Sequence, residues 1–204
     1  MIKNIKLIKD YITHTDVVLK SQFICEIFPI NNEEEAKQFL NIVKEKHPKA
    51  RHHCYAYIIK NEFQNIENQS DDGEPSKTAG LPMLEILRYE NLVNVLVVVT
   101  RYFGGTLLGV GGLIRAYSGV LKHTLAKADI KVARLYYGYI INIDYSNNEK
   151  LKYTINKLDG IIKDISYEDK VKLIIYLENE NDINNIEQQF NAKLEINKID
   201  SCYL

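Results

Sequence analysis

Three groups of polar residues have the side chains that chemistry needs. Arg51-His52-His53 sets a fixed cation beside two imidazoles, groups that move protons or bind metal near neutral pH. Asp71-Asp72-Gly73-Glu74 packs three carboxylates into four residues, a set that holds a hard cation or receives an arginine. Arg101-Tyr102-Phe103 joins a guanidinium to two aromatic rings. That combination suits phosphate pairing and base stacking, and it suits a protein interface equally well. Each group also has a plainer reading. Neighbouring strand residues point to opposite faces, so His52 and His53 cannot both serve one site. The acidic run lacks the alternating oxygens and closing glutamate of an EF-hand, so it also reads as a solvated turn. Arg101 follows a buried strand and needs a partner if desolvated, which makes a carboxylate of the acidic loop the preferred mate. No Ser-His-Asp order and no H-E-x-x-H stands out.

The element that must position these groups is Val95–Thr100, a continuous apolar run that reads as a strand buried on both faces. It feeds a loop holding Gly104, Gly105, Gly109, Gly111 and Gly112, then a helix expected over 111–127. Six of the chain's 10 glycines lie between Gly104 and Gly119. Strand, glycine loop and helix N-terminus together make an anion cradle in principle. The phosphate-loop motif needs Lys-Ser/Thr after its last glycine, and Val110-Gly111 follows Gly109 instead. The dinucleotide motif needs a third glycine where Ile114 stands. Tight strand–helix packing therefore explains the glycines as well as anion binding does.

Upstream, 2–30 reads as two or three strands with a turn near Thr13–Asp16. Asn31 or Asn32 caps a helix whose first turn is acidic and whose buried face is Ala36, Phe39, Leu40 and Val43. It ends before Pro48. A strand runs over 51–59, residues 61–78 form a long polar loop, and a helix spans 80–89. Downstream, strand 135–145, helix 147–158, hairpin 161–178, helix 182–190 and strand 193–199 give the βαββαβ order of a ferredoxin-like unit. The expected organisation is α+β, with domains 1–130 and 133–204.

The chain has 204 residues and a formal net charge of −1, so no global basic field holds nucleic acid. Residues 1–132 hold 17 Lys+Arg against 15 Asp+Glu, a net of +2, and the remainder holds 9 against 12, a net of −3. Any nucleic-acid contact must come from a local patch. Three dispersed cysteines, Cys25, Cys54 and Cys202, argue against a disulfide framework or a cysteine zinc site. No apolar run approaches the roughly 20 residues of a membrane span, and a cytoplasmic protein is expected.

The chain resembles the bacterial YigZ-type branch of the IMPACT family. The resemblance rests on Lys20-Ser21-Gln22-Phe23-Ile24, His47-Pro48-Lys49-Ala50-Arg51-His52-His53-Cys54, Ser70-Asp71-Asp72-Gly73-Glu74-Pro75, Thr78-Ala79-Gly80-Leu81-Pro82-Met83, Arg101-Tyr102-Phe103-Gly104-Gly105 and Leu108-Gly109-Val110-Gly111-Gly112-Leu113. It covers most of 15–128. It implies an N-terminal domain similar to the second domain of ribosomal protein S-five and domain IV of elongation factor G. It also implies a C-terminal domain similar to that factor's domain V. Eukaryotic relatives restrain the general-control stress kinase by competing for its activator protein, a partner outside the bacterial setting. Two positions depart from the family pattern: Gln22 stands where a basic residue is common, and Lys77 where glycine is common.

Together these readings predict a non-enzymatic, monomeric regulatory binding protein linked to translation, without cofactor or metal. It would contact RNA, the ribosome or a translation-associated protein. The expected surface comprises Lys20, Arg51, His53, Asp71, Asp72, Glu74, Arg101, Tyr102, the five loop glycines and Arg115. The alternative is a hydrolytic or metal-assisted enzyme using His52 or His53 with Asp71, Asp72 and Glu74.

Overall fold

A computed structural model describes residues 4–60, 65–190 and 193–204. The chain divides into two compact units, Ile5–Val132 and Ala133–Leu204. The elements of the first are β1 (Ile5–Ile8), β2 (Ile12–Val18), β3 (Ser21–Pro29), α1 (Glu33–Lys46), β4 (His52–Lys60), β5 (Asn65–Ser70), α2 (Gly80–Tyr89), β6 (Val95–Tyr102), α3 (Gly109–Leu125) and β7 (Ile130–Ala133). Five of these strands form one sheet in the order β2-β3-β6-β4-β5, and β1 pairs with β7 separately.

β6 is the central strand, and all its residues from Val95 to Arg101 are buried. An apolar run without alternation forms here because helices cover both sides of the sheet. One face carries Phe28, Tyr57, Leu96 and Val98 and packs on Ala36, Phe39, Leu40 and Val43 of α1. The other carries Phe23, Cys25, Cys54 and Val99 beneath α2 and α3. There the Tyr117 ring meets Phe23 edge-on at 5.2 Å. Asn32 caps α1 by accepting the Glu35 N–H at 2.8 Å.

Two sequence expectations fail in this unit. The stretch Thr13–Asp16 is the middle of β2, not a turn. The reversal falls at Leu19-Lys20, both left-handed at φ 46° and 65°, which closes a two-residue hairpin between Val18 and Ser21. The expected loop 61–78 contains the edge strand β5, paired with β4 through backbone hydrogen bonds although its side chains are mostly polar. Its segment 61–64 lies outside the described residues.

The second unit runs β8 (Leu135–Ile143), α4 (Tyr145–Lys157), β9 (Ile161–Tyr167), β10 (Val171–Leu177), α5 (Asp182–Gln189) and β11 (Glu195–Tyr203). Its antiparallel sheet has the order β11-β8-β10-β9, the ferredoxin-like arrangement. Ile141, Ile143, Leu173 and Ile175 of the sheet close on Leu151, Ile155, Ile186 and Phe190. Among the described residues no helix is long and apolar enough to cross a membrane.

Candidate functional site

The end of β6 organises the site. Arg101 pairs with Phe23 on β3 and His52 on β4, so these three side chains share the α2/α3 face of the sheet. Tyr102, the next residue, faces the other way, and its hydroxyl lies 3.1 Å from His47 Nδ1. Arg101 and Tyr102 therefore do not form one surface, contrary to the sequence reading. The same alternation separates the histidines. His52 Nδ1 sits 2.8 Å from the Asp72 carbonyl oxygen, whereas His53 is buried with Nε2 3.2 Å from the His47 carbonyl oxygen. Burial holds the His53 pKa below its ordinary value, against the opposing pull of the His47 carbonyl and Asp72.

The acidic loop folds over this end of the sheet, and each carboxylate has a protein partner. Glu74 Oε1 accepts from Arg101 at 2.6 Å and from the Tyr117 hydroxyl at 2.8 Å. Both ends of this ion pair are almost dry, with Arg101 6% and Glu74 4% exposed. The pairing expected between the acidic loop and Arg101 is thus present, and Glu74 makes it. Burial pushes the Tyr117 hydroxyl far above its ordinary pKa, with Cys54 and Glu74 adding to the effect, so it stays a donor.

Asp71 crosses back to cap α2. Its Oδ1 accepts the Ala79 and Gly80 N–H groups at 2.9 Å each, and its Oδ2 accepts that of Lys77 at 2.7 Å. These donors would otherwise be orphans, since Ala79 offers no side-chain cap. Asp72 Oδ2 accepts the His53 N–H at 2.7 Å. The three carboxylates thus point to three different tasks and do not converge on a cation.

The glycine loop has two kinds of glycine. Gly104 packs on the hairpin at Lys20-Ser21, where an added Cβ would meet the Lys20 carbonyl carbon at 2.0 Å, and its N–H donates to Ser21 Oγ. Gly105 and Gly109 have φ of +89° and +68°, with open space around them. Helix α3 begins at Gly109, two residues earlier than expected, with neither a side-chain cap nor an acidic residue in its first turn.

Together these parts enclose a cleft of about 440 Å³. Of the expected residues it gathers Arg51, Glu74, Arg101 and Gly109. Lys20 lies at the hairpin tip, Gly111 and Gly112 lie in the first turn of α3, and Arg115 folds back along that helix toward Gly111. Sequence reasoning singled out Phe103 with Arg101 and Tyr102 but missed the other apolar walls, Leu107 and Val110. Phe103, Leu107 and Val110 border the cleft and are 52%, 85% and 59% exposed. The available signal was three large apolar side chains among glycines, where no regular element could bury them. Arg101 sits between the Phe23 and Phe103 rings, 5.4 and 5.7 Å from their centroids. Its Nε is buried without a partner.

Cys54, the nearest thiol, is fully buried, within reach of the Asp71 carbonyl oxygen and the Tyr117 hydroxyl. Burial pushes that thiol well above its ordinary pKa, the opposite of an activated nucleophile.

The same residues carry a likeness to known proteins. The family model of the Impact N-terminal domain matches residues 19–125, and a domain of unknown function, DUF1949, matches residues 141–193. The chain is 38% identical over 171 residues to the IMPACT family member YvyE of Bacillus subtilis, covering 84% of this chain and 78% of that one. It is 34% identical over 168 residues to the IMPACT family member YigZ of Escherichia coli, covering 81% and 82%. A crystal structure of a hypothetical protein superposes with a TM-score of 0.67 at 28% identity, covering 98% of this chain and 99% of the other. Because the match takes in the acidic loop, β6 and the glycine loop, and extends through most of both units, this chain belongs to the IMPACT family, in its YigZ-type bacterial branch.

Proposed function

We propose that this protein is a non-enzymatic regulator linked to translation. It acts as a cytoplasmic monomer and docks a segment of a translation-associated protein in the cleft at the end of β6. The observation that carries this reading is the exposed apolar rim of Phe103, Leu107 and Val110 beside Arg51 and the uncapped start of α3. An apolar patch edged by fixed positive charge suits a peptide with a hydrophobic anchor and an acidic group. The translation link rests on the family's resemblance to domains of ribosomal protein S-five and elongation factor G. RNA suits the cleft less well, because Arg101 is committed to Glu74 and Tyr102 faces the opposite side.

The test is co-sedimentation with ribosomes from the protein's own cytosol at low and high salt, comparing wild type with Leu107→Asp. Leu107 is mostly solvent-exposed, so the change leaves the fold intact. Sedimentation that survives high salt and ribonuclease, and is lost in Leu107→Asp, supports the reading. Binding that collapses with salt and with ribonuclease marks an RNA surface built on Lys20, Arg51 and Arg115.

A further inference from the structure

A second polar cluster lies away from the cleft, where the edge strand β2 meets the last turn of α3. The strand reads Ile12-Thr13-His14-Thr15-Asp16-Val17-Val18, and its alternate residues Ile12, His14, Asp16 and Val18 form the half-buried face. A strand packed on a helix ordinarily sets apolar residues on that face, yet here a histidine and an aspartate stand two apart and point together. His123 of α3 completes the group. Its Nδ1 lies 2.7 Å from Asp16 Oδ2, while His14 Nε2 lies 3.2 Å from Asp16 Oδ1. All three ligand-capable atoms fall within 4.8 Å of one another.

We propose that His14, Asp16 and His123 bind one zinc-type divalent transition ion, which clips the edge strand β2 to the end of α3. Two imidazole nitrogens and one carboxylate oxygen form a donor set for a first-row transition ion. Calcium and magnesium take oxygen ligands and are disfavoured. Zinc–ligand bonds of about 2.0–2.1 Å at tetrahedral angles put neighbouring ligand atoms about 3.4 Å apart. The two histidine–Asp16 contacts, 2.7 and 3.2 Å, are shorter than that, and no pair of the three ligand atoms is more than 4.8 Å apart, so side-chain rotation can bring them onto one ion. His123 is 63% exposed, which leaves an entry path and room for water at the fourth position.

The group has one built-in competitor. Lys127 Nζ stands 3.0 Å from His14 Nδ1. With the ion on Nε2, Nδ1 carries the ring proton and no longer accepts from an ammonium, so Lys127 must swing into solvent. The clip joins residues 107 apart in the chain, so an ion held only by the folded state stabilises the unit.

The test uses untagged full-length protein carrying Cys202→Ser, which removes the only cysteine that is not buried. Calorimetric titration with zinc chloride should give one ion per chain, and zinc should raise the Tm. His123→Ala, at an exposed helix position, should weaken binding by more than about 100-fold, since even outer partners of metal ligands contribute 10–100-fold. It should also abolish the Tm rise. Asp16→Asn should behave alike, and Lys127→Ala should tighten binding. No saturable zinc binding, no zinc-dependent Tm rise, equal binding by His123→Ala, or weaker binding by Lys127→Ala would each overturn the proposal.

Discussion

Replacing Arg101 by methionine tests whether the ion pair at the end of β6 is structural. Methionine keeps a side chain of similar reach but removes the charged guanidinium that lies between the Phe23 and Phe103 rings. At the observed 2.6 Å and an effective dielectric of about 20, the Arg101–Glu74 attraction is about 6 kcal/mol. Desolvating two ions costs several kcal/mol each, so the pair as a whole is close to neutral. Breaking it is not neutral. The Glu74 carboxylate would stay buried with only the Tyr117 hydroxyl for support. The expected loss is therefore about 3–5 kcal/mol. The double variant Arg101→Met with Glu74→Leu removes both charges and should recover most of that loss, leaving a large coupling energy in the cycle. Urea unfolding gives the overall stability. Hydrogen exchange on peptides from β6 reads the N-terminal unit separately, because a chain of two units need not unfold in one step. A single variant that costs under about 1 kcal/mol, or a double variant no better than the single, would refute the reasoning.

Three further outcomes follow from the same geometry. Asp71→Ala removes the acceptor for three N–H groups at the start of α2 and should cost about 2 kcal/mol, the upper end for a lost cap; unchanged exchange protection in α2 would contradict this. Lys77 holds φ +63°, in the left-handed region that favours glycine. Lys77→Gly relieves a left-handed cost of about 1–2 kcal/mol but adds unfolded-chain entropy of about 0.4–1 kcal/mol, so a net gain of up to about 1.6 kcal/mol in urea stability is expected, and a loss would contradict this. His53 is held neutral by burial, below its ordinary pKa of 6.5. The unfolded chain therefore binds the proton first, and stability should fall as pH drops through about 6.5 toward the lower folded pKa. His53→Gln should flatten that slope, and superimposable stability–pH curves for the two proteins would count against the assignment.

The sequence by itself determined the elements whose pattern is local. The β-branched run Val95–Thr100 had to be a strand buried on both sides, and its neighbours pack on both faces as that requires. An asparagine pair, Asn31 or Asn32, with the three glutamates after it announced the start of α1, and the spacing of apolar residues after Leu135 was enough for βαββαβ. Each of these signals is read within a turn or two of the chain. β5 gave no such signal, and β2 gave one only at its end, Val17-Val18. β2 mixes threonine, histidine and aspartate, and β5 is nearly all polar. Edge strands are held by the backbone ladder of a neighbour, and that ladder leaves no mark on side-chain type.

Only the tertiary structure decided the partners. Strand alternation was enough to separate His52 from His53, and the same rule separates Arg101 from Tyr102. Which face became a site depended on where the acidic loop landed. Glu74 reaches Arg101 across 27 residues and Tyr117 across 43, Asp71 caps a helix it does not belong to, and Asp16 meets His123 across 107. A carboxylate in a sequence carries its charge but not its partner. The partner is chosen by whichever donor the folded backbone leaves buried and unpaired within about 3 Å, and that choice exists only after the sheet and helices have packed.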